Sequence, residues 1–99
     1  MIKKVNKRGS DDVKVTFVLP EDHPHAEDMC VVGDFNDWTE GENRFIRRSN
    51  HTYSTNVMLK EGGRYAFRYY SRTHGWENEA DADAYERNEH GSDNCILET

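Results

Sequence analysis

Residues 12–19, DVKVTFVL, alternate apolar and polar positions along the chain. Val13, Val15, Phe17 and Leu19 fall on one side, with Lys14 and Thr16 on the other, and this period of two predicts a half-buried β-strand. Pro20 ends the run, and EDHPHAED with its second proline predicts a polar loop. MCVVG resumes as a short strand that runs into the turn GDFND and ends on Trp38. RFIRR predicts a short edge strand blunted by arginines. In HTYSTNVML, Tyr53, Thr55, Val57 and Leu59 share a face, and KEGG after it reads as a turn. RYAFRYYSR, residues 64–72, is the strongest strand signal: Tyr65, Phe67 and Tyr69 form an aromatic core face, and Ala66, Arg68 and Tyr70 lie on the other. The next twenty or so residues are polar, with a short helical turn expected around Asp81–Tyr85, and NCILE closes the chain as a strand.

Five to seven short strands with frequent turn signals and no amphipathic helix predict an all-β chain folded as a β-sandwich. At 99 residues there is room for one domain, with its core expected over about residues 12–98. Composition agrees: only 34% of residues are hydrophobic but 11% are aromatic, a balance that suits a small sheet core better than a helical bundle.

The net charge of −6 and the absence of a basic stripe argue against a nucleic-acid partner. Lys3, Lys4, Lys7 and Arg8 are offset at once by Asp11 and Asp12, and no apolar stretch follows them as in a secretory leader. No run reaches the length of a membrane span, so a membrane partner is not expected and a cytoplasmic setting is. Cys30 and Cys95 fit no CxxC spacing and read as reduced, packed thiols.

Three groups of residues invite a chemical reading. Glu77, Glu79, Asp81 and Asp83 are candidates for a glycosidase carboxylate pair, but they lie in a segment that reads as a solvated acidic loop. His23 and His25, among Glu21, Asp22, Glu27 and Asp28, are metal-ligand types in a loop with no structural staple, and read as a polar connector. His51, His74 and His90 stand alone, and no nucleophile, metalloprotease or phosphate-loop motif occurs. The expectation is therefore no catalytic residue, no metal and no cofactor. The third group is Trp38, Arg68 and Trp76 with the segment GSDN near the C-terminus. Two indoles beside a cation and an amide make a platform on which apolar sugar faces stack while hydroxyls are hydrogen-bonded. Taken singly, each tryptophan is more often a core residue, since large aromatics dominate small cores.

In order along the chain stand VVGDFNDW, KEGGRYAFRYY and GWENEADADAYERNEHGSDN. These resemble the glycogen-binding, isoamylase-type early-set modules of glycogen branching and debranching enzymes and of the AMP-activated protein kinase β subunit. The resemblance runs from about Val13 to Leu97 and implies an immunoglobulin-like sandwich that binds α-1,4-linked glucans such as glycogen or starch without catalysing a reaction. By position, Trp38 and Trp76 resemble the two stacking tryptophans, and Arg68 stands where the kinase module has a lysine. Asn94 matches the asparagine of the last loop, Ser92 replaces a threonine, and Tyr70 flanks the strip. The chain departs from the pattern in SRTHG, one residue longer before Trp76, and in ENEADAD, where an Asp-Pro is usual. It departs again at His90, which stands in place of an apolar residue that inserts into the sugar. The resulting expectation is a free-standing α-glucan binder. The alternative is a module that has lost sugar binding and docks on a glycogen-metabolising enzyme or kinase.

Overall fold

The alternation over DVKVTFVL folds as read. In the computed structural model, which describes residues 1–99, strand β2 spans Asp12–Leu19. Val13, Val15, Phe17 and Leu19 are all buried in the core. On one side β2 pairs antiparallel with β1 (Ile2–Asn6), and on the other with β6 (Tyr53–Lys60), to which β5 (Ile46–Arg47) adds an edge. These four strands, in the order β1-β2-β6-β5, make one sheet.

The second sheet has β7 (Arg64–Ser71) at its centre. Strand β3 (Met29–Gly33) pairs along one edge of β7, with β4 (Asn43–Arg44) outside it. Along the other edge, the first half of β7 pairs with β10 (Asp93–Glu98) and the second half with β8 (Gly75–Glu77); β9 (Ala84–Arg87) lies outside β10. The chain passes from one sheet to the other at Phe45, which is buried between β4 and β5.

Packing between the sheets follows the pleat. Phe67 and Tyr69 point inward from β7 and meet Phe17 of the opposite sheet at ring-centroid distances of 5.1 and 6.2 Å. Val31, Cys95 and Leu97 complete the second sheet's share of the core. Ala66, Arg68 and Tyr70 alternate outward and lie half-buried on the far face of that sheet, which is where the site forms.

Four sequence expectations change. The segment read as a helical turn at Asp81–Tyr85 enters β9, paired to β10. RFIRR is two short strands in different sheets, bent at Phe45. β8 forms within the stretch expected as polar loop, and β1 in a segment for which the sequence predicts no element; each is stabilised by ladder bonds to a neighbour more than by burial of its own side chains. Glu79, read as part of a solvated loop, is 6% exposed. Cys95 sits in the core between the sheets and Cys30 on the outward side of β3, both buried as free thiols.

Candidate functional site

Trp38 owes its position to the turn that displays it. Gly33 is required by crowding: a Cβ there would lie 2.5 Å from the Ala66 carbonyl and 2.8 Å from Phe67 Cβ. Asn36 is buried and holds the turn closed, accepting from the Gly33 N–H at 3.0 Å and donating to the Val31 carbonyl at 3.0 Å and to Asn43 at 2.8 Å. Phe35 packs down onto Phe17. Asp37 and Trp38 both adopt left-handed backbone conformations, φ 55° and 57°, which side-chain-bearing residues adopt at a cost and which concentrate at functional turns. Asp34 then fixes the ring: one carboxylate oxygen accepts from the Trp38 indole N–H at 3.0 Å and the other from the Ala66 N–H of β7 at 2.8 Å.

Trp76 comes from β8, opposite Tyr70 in the ladder, and is 49% exposed. Its ring packs against Tyr70 at 4.7 Å and lies under the Arg68 guanidinium, 5.3 Å from the centroid. Arg68 is held there by its Nε donating to Asn78 Oδ1 at 2.9 Å, and Asn78 in turn donates to the Asp93 carbonyl at 3.0 Å. The turn before Trp76 is clamped from below by Asp28, which accepts from the hydroxyls of Ser71 and Thr73 and from the Thr73 N–H. Those bonds hold the Asp28 carboxyl down from 3.8 to about 2.

The far wall is the β9–β10 hairpin. Its loop is organised by Asn88, whose Oδ1 accepts from the His90 and Ser92 N–H groups at 2.9 and 3.1 Å. Asn88 also donates to Asn94 Oδ1 at 3.1 Å, which leaves the Asn94 amide nitrogen to donate into the groove. Trp38, Arg68, Trp76, Ser92 and Asn94 thus line one open groove of about 800 Å³ on the outer face of the second sheet, together with Ala66, Asn88 and His90. Tyr70, expected to flank the strip, packs its ring against Trp76 and borders a separate, smaller hollow with Asp28, Cys30 and Arg72.

Sequence reading missed Asp34, Asn78 and Asn88. Each acts by orienting a residue the sequence did mark, and Asx types at turns were their only signal. The acidic residues of the 77–83 segment do not gather on the groove. Burial pushes the Glu79 carboxyl up, but the N-terminal ammonium, the Asp81 N–H and the Tyr69 hydroxyl more than offset it and leave it below its ordinary value. Glu79 therefore faces the core through Tyr69, away from the two indoles.

The groove contains no built nucleophile–base pair; it offers flat aromatic faces, hydrogen-bond donors and, on its lining, the carboxylates of Asp34 and Glu89. That is the chemistry of a saccharide-binding surface, and comparison with known families agrees. The model of carbohydrate-binding module 48, the isoamylase N-terminal domain, matches residues 10–86. The chain belongs to this family, and its two antiparallel sheets form the family's immunoglobulin-like β-sandwich. Trp38, Arg68 and Trp76 fall inside the matched span, whereas His90, Ser92 and Asn94 lie beyond it. No match to a curated protein was found.

Proposed function

We propose that this module binds α-1,4-linked glucans such as glycogen, starch and maltooligosaccharides, and does so without catalysis. The observation that carries the reading is the pair of indoles on one groove, with Trp38 locked by Asp34 and Trp76 exposed beneath Arg68. Successive glucose units stack their apolar faces on the two rings, while Arg68, Asn94 and Ser92 bond the hydroxyls. Two stacking contacts less the ordering cost correspond to roughly −4 to −6 kcal/mol, an affinity from about millimolar to tens of micromolar.

The experiment is a titration of tryptophan fluorescence with maltoheptaose or β-cyclodextrin, in the wild type and in folded Trp38→Ala and Trp76→Ala variants. A saturable change weakened at least about tenfold in each variant supports the platform, a loss of ~1.4 kcal/mol or more. No change at millimolar sugar refutes it. In that case the module serves as a docking surface for a glycogen-metabolising enzyme, a reading that buried indoles would have favoured and that the exposure of Trp76 does not.

A further inference from the structure

His23 and His25 are two residues apart around Pro24, and the residue before a proline is held extended. Their rings meet edge to face at 4.8 Å. What the loop lacked in sequence, a structural staple, arrives from β8. Glu77 places Oε2 2.6 Å from His23 Nε2 and Oε1 3.5 Å from His25 Nε2. The three ligand atoms lie within 4.8 Å of one another. From the other side His74 stacks flat on His25, at 4.1 Å and 7°, with its own Nδ1 2.8 Å from the Thr73 hydroxyl. The His23 and His25 side chains are 10% and 20% exposed, so the cluster is walled but open to solvent on one side.

We propose that His23, His25 and Glu77 form a binding site for a zinc-type divalent transition metal, which clasps the 20–28 loop to the strand that displays Trp76. Two imidazole nitrogens and one carboxylate oxygen suit zinc, cobalt, nickel and copper; calcium and magnesium prefer all-oxygen shells. Ligands bonded at about 2.0–2.1 Å around a tetrahedral ion stand roughly 3.3 Å apart. Loading therefore draws the His23–Glu77 contact outward and brings the remaining ligand atoms together. The His25 N–H donates to His23 Nδ1 at 3.3 Å, which places the ring proton on Nε2. Metal binding moves that proton to Nδ1 and gives up this one long bond. His74 is a positioning residue that holds the His25 ring in place. Because Glu77 is the neighbour of Trp76 in β8, occupancy fixes the strand that carries the indole. The inference does not depend on glucan binding.

The test is calorimetric titration of the full chain with zinc chloride in excess magnesium, together with the visible spectrum of the cobalt-loaded protein. One zinc per chain, a cobalt band of the intensity given by low-coordinate sites and a melting temperature that rises with zinc are expected. Glu77→Gln and His23→Ala, checked for folding by circular dichroism, each weaken binding tenfold or more, while His51→Ala leaves it unchanged. The site is overturned if the wild type takes up no zinc, or if Glu77→Gln and His23→Ala bind as the wild type does.

Discussion

Gly33 has no space for a side chain, because the β3 end passes directly over the Ala66 carbonyl. Its φ of −176° is ordinary extended backbone, so the constraint is steric and not conformational. Gly33→Ala is expected to cost about 1–3 kcal/mol, seen as a lower urea midpoint at unchanged slope. The same residue also sets the height of Trp38, since the Trp38 N–H bonds the Gly33 carbonyl at 2.9 Å. Asp34 shows how one residue's chemistry serves two elements, with one oxygen on the indole and one on β7. A free indole at a turn would sample several rotamers; this one is held before any ligand arrives, which lowers the ordering cost of binding.

The elements around the groove are hairpins and turns stitched by short polar side chains. Asn88 carries the β9–β10 loop and contacts Asn94. Asn88→Ala is expected to weaken maltoheptaose binding several-fold while leaving the melting temperature within a few degrees, because the loop is exposed and the core untouched. Differential scanning calorimetry beside the fluorescence titration checks both halves. The β7–β8 turn depends on ionised Asp28. Its pKa is depressed in the folded chain, so its contribution is present above the unfolded value near 3.8 and is lost as the pH falls toward about 2. The melting temperature should therefore drop over that window, and Asp28→Asn should flatten the drop while lowering stability at neutral pH.

At the scale of the whole molecule, a net charge of −6 coexists with a groove whose proposed sugar contacts are two indoles, uncharged polar side chains and a single guanidinium, with Asp34 and Glu89 also on its lining. Glucan affinity is expected to change less than about twofold between 20 mM and 1 M sodium chloride, since screening acts on charge pairs and not on stacking. A steep fall with salt, measured by the same titration, would point instead to an anionic ligand. The sandwich divides by face: the inner face of the second sheet is core, through Phe67 and Tyr69, and the outer face presents Arg68 and the indole it covers. Strand alternation makes that division automatic, one residue inward and the next outward.

How much of this was legible depends on range along the chain. DVKVTFVL and RYAFRYYSR declared their strands, and the faces of those strands, because a period of two is local and each had a side to bury. Trp38, Arg68, Trp76, Ser92 and Asn94 were marked by type and order, and the fold brings all five to one groove. The strands β1 and β9 were not legible: their side chains are largely exposed, and only backbone bonds to β2 and β10 make them strands. Tyr70 meets the strip through its ladder partner Trp76, and Glu79 is buried against Tyr69, ten residues away along the chain. Glu77 reaches His23 over fifty-four residues. The sequence by itself determined which residues alternate, turn and stack, since those preferences act between near neighbours. Tertiary structure alone decided which side chains meet, because ladder pairing and sheet packing join segments whose local patterns carry no record of one another.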